Sequence, residues 1–368
     1  MLLVLTVILV ALIFTYTNGF HDTANAIATV VGTKVLTPRQ AIMLATVMNL
    51  LGAMTGAAVA QTIASGLVDT TGEFIPPAAS SEMLICALMA AIAWNLITWY
   101  FGMPSSSSHA LVGGLCGAAL AVAHGNWHAV IWSKVPAAGH PWWTGGGVMF
   151  KVVIPMFLSP VLGFIIAFIL MSVLYLSLQK WRPSTVTRTF GRLQLFSSAY
   201  MGFSHGTNDA QKTMGIIALA LVAATKAGAF DSLPGWLDFL KTAEPGPGES
   251  LHIALWIKVL CALTMAAGTA IGGWRIIKTL GHKLVKLQPV HGFAAETAGA
   301  SVLLGTALFG MPVSTTHVIT TSIMGVGAAK RWNAMRWVLA EQIVWAWIFT
   351  LPVSGAIAYG LVKLAGMF

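Results

Sequence analysis

One short polar motif occurs twice in this chain, each time within a long apolar stretch. The first copy, residues 18–25, reads Asn-Gly-Phe-His-Asp-Thr-Ala-Asn, and the second, residues 205–212, reads His-Gly-Thr-Asn-Asp-Ala-Gln-Lys. Carboxylates, amides and imidazoles are costly to place in hydrocarbon, so their presence in apolar segments indicates a built site. Two copies in two halves are typical of membrane proteins assembled from internal repeats.

The composition places the chain among polytopic helical membrane proteins. Hydrophobic residues make up 57% of its 368 residues, charged residues only 8%, and the mean hydropathy is +0.80. Soluble domains carry about 25% charged residues. The net charge of +9 is explained by basic residues in short cytoplasmic loops, so we expect no nucleic-acid partner. The three cysteines have no CxxC spacing and are interpreted as core residues.

Ten apolar segments are predicted, each near or above the roughly 20 residues that a crossing helix needs. They cover residues 1–33, 40–66, 83–103, 108–124, 148–179, 193–225, 251–274, 287–310, 316–329 and 337–366. The first segment is interpreted as a retained helix, because it runs into the motif without a small-residue cleavage site or a preceding basic flank. The lipid bilayer of the cell (inner or cytoplasmic) membrane is therefore the expected location.

The loops between these segments differ in charge. The basic set is Lys34, Arg39, Lys180, Arg182, Arg188, Arg192, Arg275, Lys278, Lys283, Lys286, Lys330, Arg331 and Arg336. The opposite loops hold Asp69, Glu73, Glu82, Asp231, Asp238, Glu244 and Glu249, with only Lys134, Lys226 and Lys241 among them. The positive-inside rule predicts basic loops in the cytoplasm and both termini outside.

With this orientation, the helix that carries Asp22 runs inward and the helix that carries Asp209 runs outward. The fold class predicted is all-α: a polytopic membrane protein of two inverted-topology repeats with broken helices and helical hairpins. We assign residues 1–180 to the first inverted repeat, 181–192 to a short basic cytoplasmic linker, and 193–368 to the second repeat. Such repeats open alternately to either side of a midplane site, which indicates transport.

The glycines of the motif, Gly19 and Gly206, stand beside Asn, Asp, Thr and His. These polar side chains compete for backbone hydrogen bonds, so the sequence predicts local unwinding of both helices where they line a polar cavity.

A second pair of motifs follows the first. Residues 104–109 read Pro-Ser-Ser-Ser-Ser-His and residues 312–317 read Pro-Val-Ser-Thr-Thr-His. Proline ends one helix and Ser or Thr caps the next, which predicts two hairpin tips near the midplane. A capped helix N-terminus attracts anions, and two facing tips suit a tetrahedral oxyanion.

Further ionisable residues lie near the motifs. Lys212, at the repeat position of Asn25, follows Asp209 by three residues and so shares its helix face if the segment is helical. His21 is a candidate coupling residue, because histidine is the residue type that most readily exchanges a proton near physiological pH. Glu296 lies between a basic loop and the second tip and is interpreted as a gate or ion residue. No HExxH or comparable zinc spacing occurs.

These residues resemble the inorganic phosphate transporter (PiT) family, whose hallmark is a Gly-x-Asn-Asp motif repeated in both halves. Residues 206–209, Gly-Thr-Asn-Asp, match it directly, and residues 19–22, Gly-Phe-His-Asp, depart from it, with His21 where most members have Asn. The tips and Glu296-Thr297 match as well, and the similarity covers nearly the whole chain. The motifs look most like the bacterial low-affinity members, which carry phosphate with protons and accept it as a metal-phosphate complex. The large cytoplasmic insert of many relatives is reduced here to residues 180–192.

The resemblance implies a secondary active importer of inorganic phosphate and a homodimer. It assigns phosphate binding to Ser105, Ser106, Ser107, Ser314, Thr315 and Thr316. It assigns the cation side to Asp22, Asn25, Asn208 and Asp209, to which we add His21, Lys212 and Glu296 as coupling residues and Asp22 and Asp209 as candidate metal ligands. We expect no permanently bound cofactor, but a co-transported proton or sodium ion and a divalent metal that travels with phosphate.

Several alternatives stay open at this point. Sodium-coupled phosphate symport and a sulfate permease of the same family share the architecture, although sulfate cannot donate a proton to the retained aspartates. An anion channel is disfavoured by titratable midplane residues and by the inverted repeat. A membrane enzyme is disfavoured because the sequence has no nucleophile–base pairing and no metal spacing.

Overall fold

The computed structural model describes residues 1–69, 73–136, 139, 141–243, 251–272, 276–277, 287–330 and 337–366. Helices dominate this part of the protein, beside connecting loops and two isolated β-bridges. The helices, in chain order, are α1 (Leu2–Gly32), α2 (Pro38–Ala53), α3 (Ala58–Ser65), α4 (Pro77–Phe101), α5 (Ser107–Val122), α6 (Ile154–Ser177), α7 (Pro183–Lys226), α8 (Leu255–Ile271), α9 (Pro289–Leu308), α10 (Thr315–Lys330) and α11 (Trp337–Leu364). A π-helical turn, Met149–Val153, leads directly into α6.

Within the described residues, four helices are long and apolar enough to cross a membrane: α1, α4, Met149–Ser177 and Ala340–Leu364. A fifth span is formed if α2 and α3, bent by 68° at a short break, are counted as one. The predicted segment 40–66 is therefore two helices with a sharp bend between them and not one straight helix. Other predicted segments are shorter than expected, since α5 has 16 residues and α8 has 17. The chain is thus a multi-pass helical membrane protein with both full spans and short helices.

The predicted unwinding of the two motifs is wrong. Residues 18–25 and 205–212 are both within uninterrupted α-helix, in α1 and α7 respectively. The reason is that most of their buried polar side chains bond to neighbouring helices and tips, so they do not compete for the backbone of their own helix. The break in the helices lies instead between α2 and α3.

The glycines of the two motifs allow neighbouring helices to cross at short distance. A Cβ atom at Gly19 would lie 2.6 Å from the carbonyl oxygen of Met265 on α8, and a Cβ at Gly206 would lie 2.3 Å from that of Asn49 on α2. Both distances are far below van der Waals contact, so any side chain would force the helices apart. Each motif is therefore pressed against a helix from the other half of the chain.

Most of the predicted linker is helical. Helix α7 begins at Pro183 and runs for 44 residues, so residues 183–192 form its first turns. Proline suits the first helical position because its missing N–H has no intrahelical partner there. Of the charged loop residues, Glu244, Glu249, Arg275, Lys278, Lys283, Lys286, Arg331 and Arg336 lie outside the described residues. The two-repeat division and its inversion stay predictions.

The helices pack so that each half contributes to the surroundings of the other. Helix α5 packs on α11, and α10 packs on α6. Helix α7 contacts α1, α2, α3 and α9, so the two motif-bearing helices lie side by side at the centre. The turns before α5 and α10 reach this centre, which brings the four sequence motifs together.

Candidate functional site

Both predicted hairpin tips are present. Helix α4 ends at Phe101, and α5 begins at Ser107 with the Ser106 hydroxyl accepting a hydrogen bond from the N–H of His109. Helix α9 ends at Leu308, and before α10 the Ser314 hydroxyl accepts from the N–H of His317, at 3.2 Å. Each tip therefore carries a serine N-cap, where the sequence predicts a Ser or Thr cap.

The two tips touch each other. The Ser108 hydroxyl donates to the carbonyl oxygen of Val313 at 3.2 Å. The rings of His109 and His317 lie edge to face with centroids 4.7 Å apart, and His317 also stacks on Trp347 at 3.9 Å. Because His109 and His317 occupy equivalent positions after the caps, the N-termini of α5 and α10 meet at one place.

The second tip bridges the aspartates of the two motif helices. The Thr316 hydroxyl donates to Asp22 and the Thr315 hydroxyl donates to Asp209, both at 3.3 Å. The side-chain amide of Asn25 donates to the hydroxyls of Thr315 at 3.1 Å and Thr316 at 2.8 Å. The predicted phosphate and cation residues on this side therefore form one buried polar cluster.

Lys212 places a cation at the centre of this cluster. Its ammonium donates to Asp209, to the Ser108 hydroxyl and to the Val313 carbonyl oxygen, and the residue is only 1% exposed. The predicted pairing of Lys212 with Asp209 along one helix face is confirmed. Lys212 also joins α7 to both tips, which the sequence spacing does not show.

Each aspartate also faces a histidine of its own helix. The Nδ1 atom of His21 lies 2.9 Å from Asp22, and the Nε2 atom of His205 lies 3.2 Å from Asp209. The opposite nitrogen of His205 lies 2.9 Å from the Asn49 side-chain oxygen on α2. Ligand atoms of Asp22, Asp209 and His205 lie within 4.8 Å of one another, a donor set of oxygens and one nitrogen that fits a divalent metal.

Glu296 lies in a different buried cluster. It accepts hydrogen bonds from Thr29 and Ser197, both at 2.5 Å, and from the Gln194 amide at 3.1 Å. Thr29 is two helical turns beyond Asp22 on α1. The structure therefore joins Glu296 to α1 and α7 but not to the two tips.

Three predicted site residues make no hydrogen bond to the rest of the polar cluster among the described residues. The Ser105 hydroxyl donates to Thr98 on α4, at 2.8 Å, and so faces away from the second tip's hydroxyls. The Ser107 hydroxyl and the Asn208 amide are buried without a hydrogen-bond partner among the described residues. Thr98 itself is missed by sequence reasoning; its signal is a threonine eight residues before each serine cap, at 98 and 306.

Comparison with known proteins identifies the family of the chain. Residues 18–358 match the model of the phosphate transporter family. The chain is 43% identical to a probable low-affinity inorganic phosphate transporter of Bacillus subtilis, over 99% of this chain and 98% of that protein. Proteins of the same description from Mycobacterium tuberculosis and Rhizobium meliloti are each 40% identical, over 99% and 97% of this chain and 78% and 94% of their own lengths.

A solved structure extends the comparison to the fold. A sodium-dependent phosphate transporter superposes over 100% of both chains with a TM-score of 0.80 at 23% identity, so the two share an architecture. The family model covers most of the chain, and its members are transporters and not enzymes, as predicted from the missing nucleophile–base pairing. The polar cluster between the two tips is thus the central feature of a chain that belongs to the phosphate transporter family.

Proposed function

We propose that the protein imports inorganic phosphate by proton symport, with alternating access around the two touching tips. Phosphate binds at residues of both tips, namely Ser105, Ser106, Ser107, Ser314, Thr315 and Thr316. Helices α5 and α10 both begin there, so their positive dipole ends and free backbone N–H groups favour an anion. The buried hydroxyls around them supply further hydrogen-bonding groups.

The contact of Lys212 with Asp209 is the observation that carries proton coupling. The equivalent residue of the first motif, Asn25, is uncharged. An ammonium beside a buried carboxylate supplies the positive charge that a bound sodium ion would supply there, which makes one sodium site redundant. On the other motif helix, His21 lies 2.9 Å from Asp22 and is the candidate proton carrier.

The test is uptake of radiolabelled phosphate into proteoliposomes that contain the full chain. We expect an inward proton gradient to drive uptake in sodium-free medium, with little effect of added sodium and little competition by sulfate. Lys212→Asn should impair uptake and make the remainder depend on sodium. Lys241→Asn is the matched control, because that lysine pairs with Asp238 on the surface, where it is 41% exposed.

Results that contradict this proposal would point to a specific alternative. Strict dependence of the wild-type protein on sodium would assign it to sodium-coupled phosphate symport. Equal transport of sulfate and phosphate would assign it to the sulfate permeases. Unaltered uptake by Lys212→Asn would show that the ammonium has no part in coupling.

Ser107 gives a separate test of the phosphate site. Its hydroxyl is buried without a partner among the described residues, so Ser107→Ala removes no hydrogen bond of the folded protein. Loss of one hydrogen bond to a charged ligand costs about 1.5–3 kcal/mol, which predicts roughly ten- to hundred-fold weaker phosphate binding. Equilibrium binding of labelled phosphate measures this, and thermal unfolding should stay unchanged. Ser159→Ala, another buried and unpartnered hydroxyl but on α6, should leave affinity unchanged.

The cluster of Asp22, Asp209 and His205 supports a divalent metal as part of the cargo. Its oxygen and nitrogen atoms lie within 4.8 Å of one another, close enough to the tips to share a metal with bound phosphate. Uptake measured with and without magnesium or manganese tests this; equal rates in the presence of a chelator would exclude a metal-phosphate substrate.

The proposal includes an orientation and an assembly. Both termini lie outside, and the chain forms a homodimer in the cytoplasmic membrane. Labelling of single cysteines introduced at Leu2 and Lys34, with a reagent that cannot cross the membrane, should modify the first and spare the second in intact cells. Light scattering of the purified protein measures the assembly, and a monomer would contradict the dimer.

A further inference from the structure

A chain of hydrogen bonds runs from Asp22 on α1 to Ser105 in the first tip through Thr98 on α4. The His21 ring faces Asp22 with Nδ1, at 2.9 Å, and the Thr98 hydroxyl with Nε2, at 3.1 Å. The Ser105 hydroxyl donates to the same Thr98 oxygen, at 2.8 Å. Thr98 is fully buried and links these groups.

The hydrogen-bonding positions of the Thr98 hydroxyl are all occupied. Its single proton goes to the backbone carbonyl oxygens of Trp94 and Asn95, at 2.9 and 3.2 Å. A hydroxyl has two lone pairs, and here one accepts from Ser105, while the Nε2 atom of His21 approaches the same oxygen. Thr98 therefore fixes the orientation of the His21 ring, with Nε2 at the threonine oxygen and Nδ1 towards Asp22.

The same arrangement decides what Ser105 can offer to a bound anion. Because its only hydroxyl proton is donated to Thr98, the Ser105 oxygen has only lone pairs left. Its backbone N–H is also used, since it donates to the Met103 carbonyl oxygen at 2.9 Å. Ser105 is thus left as an acceptor towards a bound anion.

We infer that Thr98 is a specificity-determining residue: by holding Ser105 as an acceptor, it makes the first tip favour a tetrahedral oxyanion that carries a proton. Hydrogen phosphate and hydrogen arsenate have such a proton at neutral pH, and sulfate has none. A site with a buried acceptor rejects a ligand that cannot donate to it, because the acceptor is left unpaired. This inference rests on the proposed phosphate site at the tips.

The equivalent described residues of the second half do not form this hydrogen-bond arrangement. The position equivalent to Thr98 is Thr306, whose hydroxyl donates to the carbonyl oxygens of Val302 and Leu303 and is part-buried. The positions equivalent to Ser105 and His21 are Val313 and Asn208, a side chain without a hydroxyl and an amide without a partner among the described residues. Thr306 therefore provides a matched control.

The experiment measures how well arsenate and sulfate displace labelled phosphate from the purified full chain. In the wild-type protein, arsenate should compete and sulfate should compete poorly. In Thr98→Val, the freed Ser105 hydroxyl donates to the anion, so the preference for phosphate over sulfate should fall about ten-fold. Thr98→Ser retains the hydroxyl and should restore the preference, and Thr306→Val should not alter it.

A second variant keeps the test decisive if Thr98→Val does not fold. Ser105→Ala removes the acceptor and should weaken phosphate and arsenate binding while leaving sulfate binding nearly unchanged. Equal loss for all three anions, or an unchanged ratio in both variants, would overturn the inference while leaving phosphate as substrate. Equal binding of sulfate and phosphate by the wild-type protein would instead overturn the proposed function.

Discussion

Asp209→Asn should abolish phosphate uptake and should also destabilise the folded protein. Lys212 is only 1% exposed, and Asp209 is the one carboxylate in contact with its ammonium among the described residues. Removing one partner of a buried ion pair costs about 3–5 kcal/mol, because the other charge is left uncompensated. Proteoliposome uptake and the melting temperature of the purified protein measure the two effects.

Two comparison variants separate folding from transport. Asp209→Asn combined with Lys212→Gln leaves no buried charge unpaired, so this double variant should recover much of the lost stability without recovering uptake. Asp22→Asn removes a carboxylate whose described partners are His21 and Thr316, and no lysine lies among them. It should fold and yet fail to transport. Normal uptake by either single variant would remove that aspartate from the site.

Gly206→Ala should reduce the yield of folded protein and the uptake that remains. The added Cβ would lie 2.3 Å from the Asn49 carbonyl oxygen and 2.7 Å from the Asn49 Cα atom. Both atoms are backbone, so α2 and α7 have to separate, and overpacking of this kind typically costs about 1–3 kcal/mol. Because Asp209 follows less than one turn later on α7, the same shift moves the site. Thermal unfolding and uptake are the measurements.

Gly305→Ala is the matched control. A Cβ at this position of α9 would have no heavy atom within 4 Å, and alanine in place of glycine inside a helix stabilises by about 0.5–1 kcal/mol. Its melting temperature should therefore be equal to or above that of the wild-type protein. An equal effect of the two substitutions would show that helix crossing at Gly206 tolerates a side chain.

Features that depend on local chemistry were predictable from the sequence. Apolar composition determined a multi-pass helical membrane protein, since hydrocarbon accepts few charges. The proline followed by Ser or Thr predicted a hydroxyl cap at each tip, because such a side chain satisfies free N–H groups at a helix start; the structure identifies the caps as Ser106 and Ser314. The three-residue spacing predicted the contact of Lys212 with Asp209, since such positions share a helix face.

Other features depend on which helices meet. Asn and Asp beside glycine favour unwinding in isolation, yet α1 and α7 stay helical because partners on other helices take up those side chains. The separate cluster of Glu296 likewise follows from packing, since its donors come from α1 and α7.

Thr98 is the clearest example of a residue whose role depends on which helices meet. A threonine eight residues before each serine cap marks its position in the sequence but not its role. That role arises because α1 and the first tip bring His21 and Ser105 to one hydroxyl. The sequence by itself determined the class of protein, the polar motifs and the helix caps, because those follow from residue type and spacing along one helix. Only the tertiary structure decided the direction of the hydrogen bonds between helices, because a hydroxyl's proton goes to whichever acceptor packing places nearest.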